Sequence, residues 1–579
     1  MRPRRGSSGP TVGPEQIVER ALNQTQPGVQ EHRFRKTRFD EAYGVWRGLT
    51  SAAEQRRRAA KQDDGVSRLR VKYGMQVIDQ ALVNLVQGVP RAKVTPRVPD
   101  AEHKAEAAEK LLGYYGDLDH LAEKEPVICQ QALIYGISPC KNHWLYCEDQ
   151  QGNVTDDRPT MEPWDAYSIW WDPVASTVDE CAYVVLESWK TKPELEQGRF
   201  NEDDGTGQWR NLDLLYQSGD GPEKPQSLQD RVTPQPQGAY RGRFQLWEVW
   251  RRTAEGVRQT VIGNQKILLR DGPSPYRMYG YPITISNSRP DLFKIEGISE
   301  SELVDHLQQA MWTVENLRME QMKTTVMRAM SIRATVPDPD SIVLRPNARW
   351  LVNDHDDVMF HASQPLPPEA YTETQDMLSR LQYVTGINAY VSGASGNTSG
   401  VDQNTATGVS LLTQSASRLL TFKARQISER TWQRGFEQWY SLAQQFVKRP
   451  MLARVTGPGD TIDWVPVTPE DLSMPFDIRV EAGEDSALTS QQQASAIGLL
   501  NALAPFVQFI NVPVLIERVG KAFGIPDPKT LIAPPQPPPV AAPTANGNGG
   551  GTPAMLGTGL AGIPSLAPHP AMSVLAGNQ

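Results

Sequence analysis

Cysteine is scarce in this sequence: four thiols, Cys129, Cys140, Cys147 and Cys181, among 579 residues. So few cannot form a disulfide framework, and nothing here needs an oxidising compartment. Long apolar runs are missing as well. No stretch approaches the roughly 18 consecutive apolar residues of a membrane-spanning helix, and the basic Met-Arg-Pro-Arg-Arg-Gly start is not followed by the apolar segment of a secretory signal. At the other end charge itself is missing. Thr530–Gln579 contains no Asp, Glu, Lys or Arg and is dominated by Pro, Gly and Ala, which predicts a disordered tail over 526–579.

The usual catalytic fingerprints are absent too. There is no G-x-x-x-x-G-K-[ST], since the single Gly520-Lys521 is followed by Ala522, and there is no H-E-x-x-H or G-x-S-x-G. The Gly-rich stretch Ser392–Gly400 has no lysine and follows a helical segment, so it reads as a small-residue loop, not a phosphate cradle. Cys140-x2-His143-x3-Cys147, with His120, Cys129 or Cys181 as a fourth ligand, has the residue types for zinc. It lacks a paired C-x-x-C knuckle, and buried cysteine behaves as a small hydrophobe. Asp338, Asp340, Asp354, Asp356 and Asp357, with His355 and His361, could hold a divalent cation or pair as acid and base. Asp beside Pro and Asn is more simply turn chemistry, and no nucleophile or oxyanion donor stands nearby. The sequence therefore predicts no enzyme, no cofactor and no metal.

What is present is a core-forming chain with uneven charge. Hydrophobic residues make up 39%, 14 tryptophans supply large anchors, and 59 Lys+Arg face 67 Asp+Glu for a net charge of −8. Residues 1–72 hold 16 basic against 8 acidic groups, so the rest is strongly acidic. An acidic body argues against tight grip on nucleic acid, which depends on phosphate neutralisation. The basic block Arg33, Arg35, Lys36, Arg38, Arg56, Arg57 and Arg58 could face nucleic acid or an acidic partner, or simply line a solvated helix.

Residues 1–30, rich in Gly, Pro, Arg and Gln, read as a mobile basic arm. Helices are predicted over His32–Lys61, Ser67–Gln87 and Ala101–Lys124. Strands follow around Trp144–Tyr146, Ser168–Asp172 and Ala182–Trp189, then a surface excursion over 197–238. A meander of Phe244–Arg251, Gln259–Ile262 and Gln265–Leu269 comes next, with Gly263-Asn264 as a turn. Ser299–Met330 is a long amphipathic helix with Leu303, Leu307, Ala310, Val314 and Leu317 as its stripe. A short module over 331–366 carries strand-like Ile342–Leu344 and Trp350–Val352. Pro367 opens a second helix ending at Thr385-Gly386. A helix over about Thr405–Lys448 then follows the Gly-rich loop, and strand texture returns at Trp464–Val467 and Phe476–Val480, with 489–523 helical. The fold class is α+β and helix-rich. Two long helices bracketing a small β module read as a scaffold.

This order of parts resembles the portal proteins of tailed bacteriophages. The resemblance is carried by Gly280-Tyr-Pro-Ile-Thr, Gly297-Ile-Ser-Glu-Ser-Glu-Leu303 with the helix after it, Tyr383-Val-Thr-Gly-Ile387, and the Gly/Asn/Thr/Ser loop ahead of Thr405-Ala-Thr-Gly408. Pro163-Trp-Asp165, Trp171-Asp-Pro173 and Tyr183–Lys192 add to it, and it covers roughly residues 32–525. It implies a wing over 31–298, a first stem helix over 299–330, a clip of small α/β type over 331–366 and a second stem helix over 367–390. Beyond these it implies a tunnel loop over 391–404, a long wing helix over 405–449, and a wing return and crown over 450–525. The uncharged tail stands where the largest members carry a helical barrel.

The resemblance further implies a homo-oligomeric ring, a dodecamer, at one vertex of the virion capsid, assembled in the host cytoplasm. Double-stranded DNA would be packaged and ejected through it without sequence readout. Partners would be the terminase large subunit as motor, then a head–tail adaptor, with the major capsid protein and a scaffolding protein around it, and no membrane. Ser392, Ser395, Asn397, Thr398, Ser399, Gln403 and Asn404 would line the DNA-channel loop. Arg318, Lys323, Arg328 and Arg333 are stem cations that could face the channel, against the simpler reading of i,i+4 pairs with neighbouring glutamates. Asp354, Asp356 and Asp357 would dock partners at the clip. A channel-less capsid or head–tail protein shares the composition but does not need two stem helices around a β module. A DNA-processing packaging enzyme would need the motifs that are missing.

Overall fold

The computed structural model describes residues 13–49, 67, 69–86, 88–148, 151, 153–200, 207–222, 227–228, 230, 240–326, 329–334, 336, 338–342, 349–361, 367, 369–387, 418–456 and 462–481. The chain divides into units of 1–491 and 492–579, and all described residues belong to the first. The predicted 489–523 helix, the 526–579 tail and the loop residues 391–404 lie outside the described residues.

Helix α1, Pro14–Arg47, is the first departure from expectation, because it includes residues 14–30 of the supposed arm. Its buried positions Val18, Ala21, Thr25, Gly28, His32, Arg35, Phe39 and Ala42 keep alternating three- and four-residue steps. The stripe escaped composition because small and polar residues fill its first half. Gly28 sits so close to the next layer that a Cβ would lie 2.7 Å from the Trp171 carbonyl oxygen, and its N–H donates to the Tyr183 hydroxyl. Helix α2, Tyr73–Leu85, starts later than predicted. The single helix expected over Ala101–Lys124 is two, α3 (Glu102–Leu118) and α4 (Leu121–Tyr135), broken at His120, whose φ is 52°. The break is fixed by Asp119, whose buried carboxylate accepts from Lys124 Nζ (2.7 Å), Arg158 Nη1 (2.6 Å) and the Met161 N–H (2.9 Å).

Five antiparallel strands form a meander in the order β4 (Ile169–Trp171), β5 (Tyr183–Thr191), β6 (Arg243–Thr253), β7 (Gly256–Gly263) and β8 (Ile267–Pro273). Asn264 and Gln265, both at positive φ, make the β7–β8 turn. The turn thus sits one residue past the predicted Gly263-Asn264, because the asparagine side chain is anchored: its Oδ1 accepts from the Gln245 N–H. Part of the 197–238 excursion is folded. Just ahead of it helix α5, Lys192–Glu196, begins with a Thr191/Glu194 capping box, and within it α6, Leu212–Gln217, buries Leu212 and Leu215 against Phe244, Leu246 and Val261.

A second sheet, β3 (Val154–Pro163), β2 (Ser138–Glu148) and β9 (Ile283–Ser286), separates the zinc-like residues. Cys140 is fully buried, with its thiol pushed up to about 12 by burial, whereas Cys147 lies exposed at the strand's far end. Strand β1, Arg91–Pro96, pairs with β14, Phe476–Glu481, and β12, Met451–Thr456, pairs with β13, Ile462–Val467.

Among the described residues the buried apolar side chains fall into four clusters, two of them large. One gathers Phe39, Ile78, Trp171, Trp250 and Tyr281, and the other gathers Leu111, Leu112, Tyr115, Trp432, Phe436 and Trp439. The helix described from residue 418 serves both. Leu420 and Ile427 belong to the first core, and Trp432 onward to the second. Between them the helix passes through a π-helical turn, Ser428–Gln433, before continuing as α9, Arg434–Phe446.

Candidate channel stem and clip

Helix α7, Glu300–Val326, has 27 residues and spans about 40 Å at 1.5 Å per residue. Its buried face is Glu300, Ser301, Val304, Gln308, Met311 and Trp312. The predicted stripe lies beside it: Leu303, Leu307, Ala310 and Val314 are half-buried and Leu317 is exposed. Polar side chains on the buried face explain the offset. Gln308 Oε1 accepts from the Gly74 N–H (2.6 Å) and its Nε2 donates to the Val45 carbonyl (2.9 Å). Trp312 Nε1 donates to the Val71 carbonyl, and Asn316 exchanges bonds with the Leu69 backbone. These contacts tie the Leu69 and Val71 backbone to α7 just ahead of α2, which begins at Tyr73. Beyond Glu320, which accepts from the Ser67 N–H, the helix is exposed.

Helix α8, Glu369–Thr385, packs on α7. Arg318 belongs to this contact. Its guanidinium lies 4.5 Å from the Tyr371 ring centroid and donates to Thr374 Oγ1 at 3.2 Å. Lys323 is exposed near the end of α7. Arg328 lies outside the described residues, as do Ser392, Ser395, Asn397, Thr398, Ser399, Gln403 and Asn404.

Between the two helices stands a hairpin of β10 (Met330–Ile332) and β11 (Val358–Phe360). The strand expected at Trp350–Val352 is irregular; Trp350 instead meets the Phe360 ring at 5.9 Å. Of Ile342–Leu344, residues 343 and 344 fall outside the described residues. Arg333, placed among the stem cations by sequence, sits at the hairpin's end. Its backbone N–H donates to the Asp357 carbonyl (2.9 Å) and its Nη1 pairs with Asp357 Oδ1 (3.2 Å). Asp357 also accepts from the Asp354 N–H as half of a capping box. Asp357 is thus buried and committed to the module, while Asp354 and Asp356 are exposed. Among the described residues no group of three or more His, Cys, Asp or Glu could hold a metal ion.

Sequence reasoning missed the most buried charge at the stem's base. Lys423 and Glu300 form an ion pair of 2.8 Å with both side chains at 0% exposure, and Lys423 Nζ donates to the Thr385 carbonyl at 3.1 Å. One ammonium thereby joins the start of α7, the end of α8 and the helix described from 418. Burial pushes the lysine's pKa down, and Glu300 opposes this. The signal was in the spacing: Lys423 lies three residues after Leu420 and four before Ile427, on the buried stripe. The basic N-terminal block is also partly internal. Arg35 lies 3.8 Å from the Trp171 ring centroid beside Glu31 and Glu296, and Arg38 grips Glu302 and the Gly297 carbonyl. Both are engaged in contacts within the chain. Arg56, Arg57 and Arg58 lie outside the described residues. Further along, Arg434 pairs with Asp179, holding that carboxyl below its usual range.

Comparison with protein-family models returns a match over residues 148–548, well over half of the chain, and the class it defines is the phage portal protein. The matching family is described as the phage SU10 portal protein, and the chain belongs to that family. No curated protein matches the chain. Membership makes this a structural protein of the virion, associated with the capsid. Among the described residues no helix is long and apolar enough to cross a membrane.

Proposed function

We propose that copies of this chain close a dodecameric ring at the unique capsid vertex, that double-stranded DNA is packaged and ejected through it, and that the terminase large subunit and then the head–tail adaptor dock on the β10–β11 module. In this reading 31–298 is the wing, 299–330 and 367–390 are the stem, 331–366 is the clip, and 391–404 is the tunnel loop. The long wing helix is 405–449, the wing return and crown occupy 450–525, and 526–579 is the tail. The carrying observation is the far half of α7, where Leu317, Met319, Met322 and Val326 stand exposed on a helix tied to the wing from Gln308 to Glu320. A long helix with uncovered apolar side chains needs neighbours, and copies around an axis supply them. Arg318, held by Tyr371 and Thr374, braces the stem pair, and Lys323 is exposed near the end of α7. Weak, spaced cations suit a channel that must not bind its cargo.

Negative-stain electron microscopy of the full chain, with native mass spectrometry beside it, tests this. A ring with a central hole and dodecameric mass, built on the 64.4 kDa chain, is the expected result. A stable assembly without a hole would replace the reading with a channel-less structural protein.

A further inference from the structure

The chain is buried continuously from Tyr281 to Ser288 and again from Ile295 to Gly297. Between them it surfaces for a short tip that presents Leu292 and Phe293 at 81% and 86% exposure. Phe293 has φ of 55°, in the left-handed region that is a marked outlier for a bulky side chain. Apolar exposure and backbone strain therefore coincide at one residue.

The base beneath this tip is built to hold it. Pro290 and Gly297 are bridged, the Ile298 N–H donates to the Arg289 carbonyl (2.9 Å), and buried Asn287 Nδ2 donates to the Ile295 carbonyl (3.0 Å). Arg38 Nη2 donates to the Gly297 carbonyl (2.9 Å). Packing at the base is so close that a Cβ on Gly297 would lie 2.2 Å from the Arg289 carbonyl oxygen. Asp291 and Lys294 pair with each other across the tip, so the knob carries no net charge to offer phosphates or a charged surface.

We propose that Leu292 and Phe293 are an apolar knob that seats in a second copy of this chain. The inference rests on the ring reading above. The tip lies directly before α7, whose uncovered apolar side chains face the same need for a neighbour. A head-to-tail ring interface joins unlike patches, so a knob on one copy and its socket on the next is the geometry such a ring requires. Two neutral apolar side chains on a pre-organised loop lose little freedom on seating.

The test uses the full-length chain with p-benzoylphenylalanine in place of Phe293, together with Phe293→Gly and Leu292→Ser variants. Photolysis of assembled rings is expected to give covalent dimers of the chain. The variants are expected to raise the concentration needed for ring formation by about tenfold or more, the scale for an interface anchor. Glycine suits the positive φ, so Phe293→Gly should melt no lower than the parent; should it melt lower, Phe293→Asn, which also tolerates that φ, replaces it. Rings that form at the parent's concentration in the variants, or crosslinks only to a different protein, would overturn the knob and leave the ring reading intact. A parent chain that forms no ring would overturn the ring reading and the knob with it.

Discussion

Arg333 and Asp357 are paired at the loop end of the β10–β11 hairpin, an arginine at 58% exposure on a carboxylate at 2%. The same aspartate receives the Asp354 N–H, so it is both partner and cap. Asp357→Ala should therefore destabilise this module by roughly 1–2 kcal/mol, from the lost cap and the unpaired arginine. Asp356→Ala should change stability by less than about 0.5 kcal/mol, as exposed substitutions do. Denaturant melts of the two variants check the contrast. If the module docks the motor or the adaptor, Asp356→Lys should weaken that binding while leaving the melt unchanged.

The Lys423–Glu300 pair should show the asymmetry of buried charge. Lys423→Met strands Glu300 in the interior and should cost about 3–5 kcal/mol, whereas the double variant with Glu300→Gln should recover a large part of that. A double-mutant cycle on equilibrium unfolding measures the coupling. Equal losses in the single and double variants would show that packing, not charge, decides the site.

Glu125 gives a pH dependence with a definite sign. Burial pushes its carboxyl up to about 7, against about 4.3 in an unfolded chain. The folded state favours the protonated form, so this contribution to stability is complete below about pH 4 and is lost as pH rises through about 7. Glu125→Gln should flatten that part of the stability profile. A variant whose slope between those limits matches the parent would assign the dependence to another group.

Deleting residues 391–404 should leave rings intact but impair packaging or retention of DNA, read by ring counts and by a packaging assay in parallel. Loss of the ring itself would remove these residues from the channel-loop role. Truncation after Lys529 should not alter ring assembly.

The order helix, β module, helix was legible because its punctuation is chemical: Pro367 opens α8 and Gly386, at φ 74°, follows its end. The Trp-rich meander was legible for the same reason, as β-forming residues crowd it. The first half of α1 was not, since Thr25, Gly28 and His32 occupy its buried face and none registers as hydrophobic. Asp119 broke a run of helix formers through contacts to residues some 40 positions away, which no local pattern reports. At the stem, sequence sorted cations by helix and acids by turn, so Arg333 and Asp357 fell into different roles although they touch. Lys423 was visible only to a reader willing to place a charge on an apolar stripe.

The π-helical turn over Ser428–Gln433 has a mechanical meaning. Its extra residue sets the following turns back by about 100°, which brings Trp439 from about 100° away to the side of the rod that carries Leu420 and Ile427, so that one unbroken helix serves both cores. Removing a single residue there would restore ordinary pitch and swing every tryptophan beyond it out of phase with its socket. The rod is a shaft with both keys cut on one side: from Lys423 to Trp439 the two cores are joined without a loop between them.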